Sequence, residues 1–440
     1  MRLFRVAGIG TFSILAILLM STSGAAASTS SHSSPAPRTG PALLAAPSLK
    51  IQYTIRLGKL PSGGALDTRN GNVFVANEKS NDVTVVNATT HSPSTIKVGT
   101  SPSDVVYDPN NGNLYVPNLN SSSVSIINGA TDKVTATVKL GSGAHPATAQ
   151  VDSANGNVLV FDNVTFPSNT TVWMIKNSTH AVTKLTLGLG LILIATYSPA
   201  SKDMYVPNYF SSTVTAISPS GALTNISVPA PPISLVYDPA GKVIVMTLGA
   251  VLPSPPSLDW IDAANLVGAA TPVPTNVSTF VVGSGLYNPY NGRVYVLGYN
   301  VTANQTYAIS VAPPAVIAGL TLLGSGSSFF LGFLDPANHD LFYGRLTADN
   351  ITVLDNSSKV VKTIPTSQPA PLMIYDASTK QMFAAGEVNL TTVSTLYAIT
   401  STFAVSKLKV GKFAIPFVYD PTDTYVYVAN LGSDTLDIAS

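Results

Sequence analysis

The feature that most constrains this chain is a repeat of 40 to 50 residues that runs through almost all of it after residue 50. A turn residue marks the same place in each of nine copies: Asp67, Asp108, Asp152, Ser198, Asp238, Asn288, Asp335, Asp376 and Asp420. A unit of this length cannot bury its apolar face alone, so successive copies must pack against one another. The period therefore predicts one repetitive domain rather than several unrelated ones.

Each copy contains four short apolar runs separated by turn residues, as is clearest from Ser101 to Gly141. This pattern predicts a four-stranded antiparallel sheet. Asp108-Pro109 should end the first strand, because proline has no N–H for the ladder, and Asp108 should accept a backbone N–H two residues on. The strands of this copy are predicted at residues 104–107, 114–117, 124–127 and 134–140.

The second strand of several copies carries a short motif that is recognisable by itself. It reads LYVPN at 114–118, VFVAN at 73–77, MYVPN at 204–208 and VYVAN at 426–430. These segments resemble the YVTN family of β-propeller repeats, which is known from archaeal surface-layer proteins and exported bacterial proteins. The resemblance implies an all-β fold, a single closed β-propeller with one four-stranded blade per copy. Related propellers include lactonase-like and quinoprotein-like enzymes, so the motif is specific for fold and not for function.

The two ends of the repeat region supply matching pieces of one blade. Ile51 to Gly58 matches an outer strand, and Thr435 to Ile438 matches a third strand. We therefore expect the N-terminal strand to complete the last blade and close the ring, with Ile51, Tyr53, Ile55 and Leu57 on one apolar face. Nine copies predict nine blades; eight, with one copy expelled or merged, is the alternative. The segment from Leu248 to Pro274 should be the most irregular, because its prolines break a hairpin.

Residues 1–27 have the features of a secretory signal peptide. Arg2 and Arg5 precede an apolar run that ends at Met20, and small residues follow to an Ala25-x-Ala27 cleavage site. The run is shorter than the roughly 20 residues that a membrane-spanning helix needs. Residues 28–49 are rich in Ser, Ala and Pro and predict a flexible stalk. The mature chain, with a propeller domain at 50–440, is therefore expected at the cell surface or outside the cell, without an integral membrane segment.

The composition argues against several classes of protein. The chain has no cysteine, so an exported form cannot depend on disulfides. Lys plus Arg number 23 and Asp plus Glu 22, with no basic stripe to follow a phosphate backbone, so nucleic acid is not indicated as a partner. Only 10% of residues are charged, which leaves few titrating groups on the surface and would suit an acidic exterior.

A search for catalytic motifs predicts no catalytic residue, no metal site and no cofactor. The four histidines after residue 49 lie in different copies without ligand spacing, and no nucleophile elbow, phosphate loop or calcium loop is present. The recurring Asp residues are interpreted as turn residues. The tyrosines that precede them should pack between blades: Tyr107, Tyr237, Tyr287, Tyr375 and Tyr419.

Ligand contacts are expected in the loops that join one blade to the next around the channel mouth, since loops on a rigid scaffold carry most binding functions. The candidate contacts are Lys59, Ser101, His145, Gln368 and Lys412. Asn-x-Ser/Thr sequons form a second set of candidates, as N-glycan acceptors: Asn87, Asn120, Asn163, Asn169, Asn177, Asn225, Asn276, Asn300, Asn304, Asn350, Asn356 and Asn389. Alternatively, these sequons only reflect the Asn, Ser and Thr that crowd turns.

Two classes of function follow from the sequence. The first is an exported, glycosylated module that binds a protein or glycan at the cell surface or has a structural role there. The alternative is an exported enzyme with a site at the channel mouth, a lactonase-like hydrolase or a quinone-dependent oxidoreductase. The enzyme would need several ionisable groups to converge, and Glu78 and Glu387 are the only glutamates in the chain.

Overall fold

The structure is a computed structural model that describes residues 48–153, 155–163, 169–190, 195–239, 242–247, 257–268, 271–272, 279–280, 285–300, 303–312, 316–325, 332–345, 347–386, 390–421 and 423–440. This part of the chain is all-β, as predicted, apart from one 3₁₀ turn at Tyr209–Ser211. Its strands form nine antiparallel sheets, eight with four strands and one with five. The predicted signal peptide and all but the last two residues of the predicted stalk lie outside the described residues.

The first five sheets follow one another along the chain. Sheet 1 contains β2 (Pro61–Leu66), β3 (Val73–Asn77), β4 (Asp82–Val86) and β5 (Pro93–Lys97). Sheet 2 contains β6 (Val106–Asp108), β7 (Asn113–Asn118), β8 (Ser123–Asn128) and β9 (Lys133–Lys139). Sheet 3 contains β10 (Pro146–Val151), β11 (Val158–Asp162), β12 (Asn169–Ile175) and β13 (Val182–Leu189). Sheet 4 contains β14 (Thr196–Tyr197), β15 (Met204–Asn208), β16 (Thr213–Ile217) and β17 (Leu223–Ser227). Sheet 5 contains β18 (Pro232–Asp238), β19 (Lys242–Thr247), β20 (Ser257–Asp262) and β21 (Thr271–Pro272).

The remaining sheets include the five-stranded one and the sheet that combines both ends of the repeat region. Sheet 6 contains β22 (Thr279–Phe280), β23 (Leu286–Asn288), β24 (Arg293–Asn300), β25 (Gln305–Ala312) and β26 (Val316–Ser325). Sheet 7 contains β27 (Phe333–Asp335), β28 (Asp340–Gly344), β29 (Asn350–Leu354) and β30 (Val360–Pro365). Sheet 8 contains β31 (Leu372–Asp376), β32 (Gln381–Ala385), β33 (Val393–Thr400) and β34 (Val405–Lys412). Sheet 9 contains β35 (Ala414–Asp420), β36 (Tyr425–Asn430), β37 (Thr435–Ala439) and β1 (Ile51–Arg56).

The apolar core is divided among the boundaries between sheets. Nine clusters of buried side chains each join two neighbouring sheets of the described chain. One of them joins sheet 9 to sheet 1 through Ile55, Tyr427 and Val75. Nine sheets in an open row would share only eight boundaries, so the ninth cluster brings the last sheet against the first. The sheets therefore form a propeller ring.

Eight of the nine sheets have four strands each, and these eight four-stranded blades agree with the alternative count of eight. The ninth, sheet 6, has five strands. The ninth repeat is not expelled from the ring, because sheet 6 shares one core cluster with sheet 5 and another with sheet 7. In sheet 6 both β22 and β23 pair with β24, which gives the fifth strand. Much of the segment predicted to be irregular, Leu248 to Pro274, lies outside the described residues; in the part that is described, the outer strand β21 has only two residues.

The N-terminal strand pairs with the last strand of the chain. In this antiparallel pair Thr54 lies opposite Asp437 and Ile55 opposite Leu436. Ile55 and Leu57 are buried, as the alternation predicted. The expectation for Ile51 is wrong: the register shift between Ile51 and Tyr53 places Ile51 on the other face, in the cluster shared with sheet 8. Tyr53 stays on the side of Ile55 and stacks on His91 of sheet 1, but 43% of it is exposed.

The turn between the first and second strands has the predicted geometry. The Asp108 carboxylate accepts the N–H of Asn110 at 2.9 Å, and the Asp335 carboxylate accepts that of Ala337 at 2.8 Å. Four residues after Asp108, Gly112 has a φ of 73°, a conformation that glycine adopts without strain. The recurring Asp therefore shapes this turn, as the sequence indicated.

Candidate functional site

One face of the ring gathers the segments in which propellers commonly bind ligands. We call it the junction face; on it the outer strand of each sheet leads into the first strand of the next, and the second strand turns into the third. The two kinds of segment are bonded to each other. Leu119 N–H donates to the Ser101 carbonyl at 2.9 Å, and Asn163 N–H to the His145 carbonyl at 2.7 Å.

The five predicted ligand contacts all lie on the junction face. They occupy five consecutive connections, from sheet 7 to 8, 8 to 9, 9 to 1, 1 to 2 and 2 to 3: Gln368, Lys412, Lys59, Ser101 and His145. They are thus spread along an arc of the ring, one to each connection. Their position at the channel mouth itself stays a prediction.

The five side chains differ in what they can offer a ligand. Those of Lys59, His145 and Lys412 are exposed. The Ser101 hydroxyl accepts a bond from Asn120 Nδ2 at 2.8 Å. Gln368 Nε2 donates to the Val393 carbonyl at 2.9 Å, while its Oε1 is buried without a partner among the described residues. The exposed lysines and histidine would suit an anionic partner.

The Asn of the YVTN-like motif has a structural role that the sequence alone did not reveal. This Asn lies ten residues after the turn residue of its copy. We call the place that the Asn occupies the clasp position. Asn118 Nδ2 donates to the hydroxyls of Ser123 at 3.3 Å and Ser125 at 3.1 Å, and so ties the second strand to the third. The same pair of bonds is made, to the residues five and seven positions on, by Asn77, Asn208 and Asn430.

The clasp also holds neighbouring sheets together. Gly99, at the end of the outer strand of sheet 1, lies directly over Asn118 of sheet 2, so that a Cβ at Gly99 would come within 2.6 Å of Asn118 Cγ. Gly411 is placed in the same way over Asn430. Glycine is required here because the asparagine side chain occupies the space that a Cβ would need.

Sheet 3 has an aspartate at the clasp position. The Asp162 carboxylate accepts Trp173 Nε1 at 2.9 Å and the backbone N–H of His145 at 3.0 Å. Burial raises the pKa of Asp162, and these two hydrogen bonds oppose that rise. The predicted contact His145 is therefore fixed through its backbone, which leaves its exposed imidazole available.

Sheet 7 has an arginine at the clasp position, and the sequence analysis overlooked it. Arg345 is only 2% exposed. Its Nη1 donates to the Ser325 carbonyl at 2.9 Å, and its Nη2 to Asn350 Oδ1. Burial lowers the pKa of Arg345. The signal was present in the sequence, because FYGR at 342–345 aligns with YVPN at 115–118.

On the opposite face, which carries the turns between first and second and between third and fourth strands, tyrosine and aspartate meet across sheet boundaries. Tyr107 of sheet 2 packs in the cluster shared with sheet 1. Burial raises its pKa, and the Asp67 carboxylate of sheet 1 raises it further. The other four tyrosines also pack in clusters between sheets, as predicted: Tyr237, Tyr287, Tyr375 and Tyr419.

On the same face, asparagines in several of these turns donate hydrogen bonds to the next sheet. Asn111 Nδ2 of sheet 2 donates to Asn177 Oδ1 of sheet 3 at 2.9 Å, and Asn155 Nδ2 of sheet 3 to the Pro219 carbonyl of sheet 4 at 3.1 Å. At the boundary from sheet 9 to sheet 1 this position is Asp423, and its partner is His91, with 3.9 Å between Oδ2 and Nε2. At the boundary that closes the ring, an Asp–His pair therefore stands where sheets 2 and 3 have the hydrogen bond of an asparagine amide.

The carboxyl group of Asp104, just before the first strand of sheet 2, is almost completely buried. It accepts the N–H of Val105 at 2.7 Å and the hydroxyl of Thr148, on the next sheet, at 2.9 Å. Burial raises the pKa of Asp104 from 3.8 to about 7, although these hydrogen bonds lower it. The group therefore titrates near neutral pH inside the ring.

The predicted glycan acceptors differ in accessibility. Five asparagines are exposed: Asn87, Asn120, Asn169, Asn225 and Asn304. Five are partly buried: Asn163, Asn177, Asn300, Asn350 and Asn356. Asn350 is partly buried and bonded to Arg345, and the Thr352 of its sequon is only 1% exposed. Asn276 and Asn389 lie outside the described residues.

Within the described ranges no group of three or more His, Cys, Asp or Glu side chains is arranged to hold a metal ion. In the same part of the chain, no helix has the length and apolar character needed to cross a bilayer.

Comparison with known proteins supports the fold. No family model and no curated protein matches the chain. Among solved structures, the dihydro-heme d1 dehydrogenase NirN is similar with a TM-score of 0.58 and 12% identity, over 87% of this chain and 80% of that one. A eukaryotic initiation factor is similar with a TM-score of 0.54 and 12% identity, over 79% and 86%. Dipeptidyl peptidase 4 of Porphyromonas gingivalis gives 0.51 and 12%, over 74% of this chain and 55% of that one. At such identities the likeness shows the fold alone.

Proposed function

We propose that the protein is an exported β-propeller of the YVTN type that acts as a binding or structural module at the cell surface and carries N-linked glycans. The observation that supports the binding role best is the arrangement of the junction face. Its connections are bonded to the neighbouring turns through their backbones, while the side chains of Lys59, His145 and Lys412 are exposed. A rigid scaffold with variable exposed side chains is the usual design of a recognition surface.

The partner is expected to be an anionic protein or glycan of the cell envelope, because the exposed groups are two lysines and a histidine. Charges of this kind mainly raise the rate of association and are weakened by salt. Each should contribute modestly, so the three are best tested together.

The binding role can be tested with purified protein and isolated cell envelopes. The triple variant Lys59→Gln, His145→Asn, Lys412→Gln is expected to bind at least about tenfold more weakly than wild type, since about 1.4 kcal/mol corresponds to a factor of ten. The matched control, Lys133→Gln, Lys176→Gln, Lys359→Gln, removes three exposed lysines from the opposite face and should bind like wild type. Equal loss in both triple variants would show that the junction face is not the binding surface.

Export and glycosylation predict a specific result in mass spectrometry of the native protein. The mature N-terminus is expected at Ser28, after removal of residues 1–27. Glycans are expected at exposed sequons such as Asn87 and Asn225, and none at Asn350, because its amide is engaged and its threonine buried. An intact Met1 would contradict export by a cleaved signal, and unmodified Asn87 and Asn225 would contradict the glycan assignment.

A further inference from the structure

The boundary that closes the ring contains a histidine with an unused ring nitrogen. His91 lies in the turn between the third and fourth strands of sheet 1, and only 9% of its side chain is exposed. Its Nε2 is buried and has no hydrogen-bond partner among the described residues. Buried polar atoms are normally hydrogen-bonded, so this nitrogen marks a contact that is incomplete in the structure.

The carboxylate of Asp423, from sheet 9, faces this nitrogen. The distance of 3.9 Å between Asp423 Oδ2 and His91 Nε2 is within the range of an ion pair but too long for a hydrogen bond. Asp423 is itself held in place, because Oδ1 accepts the backbone N–H of Tyr425 at 2.9 Å and Oδ2 accepts the hydroxyl of Tyr427 at 2.5 Å. A carboxylate oxygen has two lone pairs, so Oδ2 can accept a second bond, from a protonated His91.

Two tyrosine rings contact the imidazole of His91. Tyr53 of β1 stacks on it, with 4.2 Å between ring centroids and 15° between ring planes, and Tyr425 of β36 meets it in a T-shaped arrangement at 5.4 Å. A positive charge over the face of an aromatic ring is attracted to that ring. Protonation of His91 therefore strengthens its contact with Tyr53 as well as its contact with Asp423, and so acts on the N-terminal strand and the last sheet together.

The charge on His91 depends on the titratable groups packed around the His91–Asp423 pair. These groups are Tyr53 from β1, Tyr425 and Tyr427 from β36, and Asp420 from the turn before β36. Burial raises the pKa of Asp423, whereas the hydrogen bonds from Tyr427 and Tyr425 and the nearby His91 lower it. Burying a positive charge costs free energy, and an ionised Asp423 offsets that cost. A histidine changes its charge between about pH 5 and pH 8, so the pair is charged on both sides at mildly acidic pH.

We infer that His91, Asp423 and Tyr53 form a pH-operated latch, which fastens the N-terminal strand to the boundary that closes the ring when His91 is protonated. Neutral His91 keeps its stacking on Tyr53 but loses the attraction to Asp423. In sheets 2 and 3 the place of Asp423 is taken by Asn111 and Asn155, whose amides bond to the next sheet and do not titrate. The latch lies on the face opposite the junction face, so it is independent of the proposed binding role.

Hydrogen–deuterium exchange of the purified protein, followed by mass spectrometry, tests the latch. The protection of the β1 amides is divided by that of the amides of β17, the outer strand of sheet 4, at about pH 5.5 and pH 7.5 after correction for intrinsic exchange rates. Because both strands belong to one molecule, this ratio removes the pH dependence of the stability of the whole ring. In wild type the ratio is expected to be about fivefold higher at the lower pH, as for one partly exposed ion pair aided by an aromatic ring.

His91→Gln and Asp423→Asn are each expected to lose this pH dependence, and the double variant should behave like either single variant. Asp423→Asn introduces the residue that sheets 2 and 3 have at this place, so it should fold. The control His180→Gln removes the histidine at the same position of the equivalent turn in sheet 3 and should keep the wild-type ratios. Equal ratios at the two pH values in wild type, or a pH dependence that survives in His91→Gln or Asp423→Asn, would overturn the latch.

Discussion

Asp104→Asn is expected to abolish much of the pH dependence of stability between about pH 4 and pH 8. In the folded protein burial raises the pKa of Asp104 to about 7, whereas in the unfolded chain it stays near 3.8. A raised folded-state pKa means that the native state binds the proton more tightly than the unfolded state. The contribution to stability is therefore fully present below about pH 4 and is lost as the pH rises through 7.

The size of this effect is large for one side chain. A pKa difference from 3.8 to about 7 corresponds to about 4 kcal/mol at most, from 1.36 kcal/mol for each pH unit. The asparagine variant should be more stable than wild type at pH 8 and no more stable at pH 4, because it never buries a charge. Urea unfolding at several pH values measures this directly. Asp349→Asn changes an exposed carboxylate and should keep the wild-type slope; a wild-type slope in Asp104→Asn would contradict the burial argument.

Other carboxyl groups act in the same direction. Burial raises the pKa of Asp162, Asp335 and Asp423, as it does for Asp104. Each of these groups favours the folded state at mildly acidic pH relative to neutral pH. The wild-type protein is therefore expected to be most stable on the acidic side of neutrality, which agrees with a surface poor in charged residues.

Deletion of residues 50–58 is expected to lower the melting temperature of the whole domain in one cooperative transition. These residues include β1, and the side chains of Ile55 and of Leu57, which follows β1, are buried in the cluster that joins sheet 9 to sheet 1. Burial of two such side chains is worth roughly 4 kcal/mol, and the deletion also leaves the edge of β37 unpaired. For a domain of this size the fall should be roughly 5–10 °C.

The matched control for that deletion removes residues 28–46, the predicted stalk. It shortens the chain more, yet it should change the melting temperature by less than about 1 °C, because such a stalk has too few large apolar side chains to bury. Differential scanning calorimetry of the two variants gives the comparison. Equal melting temperatures would mean that the N-terminal strand does not hold the ring together.

The fold was predictable because the same pattern of residues recurs in nine copies along the sequence. Every copy carries a turn residue at the same place, Asp in seven of the nine, and the same apolar alternation. An error in one copy, such as the first strand expected at residues 104–107 and found at Val106–Asp108, therefore leaves the architecture unchanged. β1 stands alone before the first copy, so its register could not be checked against other copies of the repeat. Its register shift turns Ile51 to the face that packs against sheet 8, whereas Tyr53 stacks on His91 of sheet 1 with 4.2 Å between ring centroids.

The chemistry of single positions was harder to predict, because it depends on neighbours that are distant in sequence. Asp104 looks like any polar residue at the start of a strand, and its burial arises only when Thr148 of the next sheet and Gly63 of the previous one close around it. Arg345 is distinguishable from a surface arginine only by alignment with the clasp asparagines. The predicted contacts Lys59 and Lys412 could be placed on one face, since loop position follows from the repeat itself.

The central claim is that the first and last strands close one ring, and a disulfide tests it most directly. The chain has no cysteine, so any disulfide must form between introduced residues. Ile51 and Ala439 lie opposite each other, and Ala216 and Thr224 provide a control pair on the third and outer strands of sheet 4. Ile51→Cys, Ala439→Cys is expected to form an intramolecular 51–439 bond as completely as Ala216→Cys, Thr224→Cys does, seen by peptide mass mapping without reductant. A control pair that oxidises while 51 and 439 stay reduced would show that the ring is not closed by these strands.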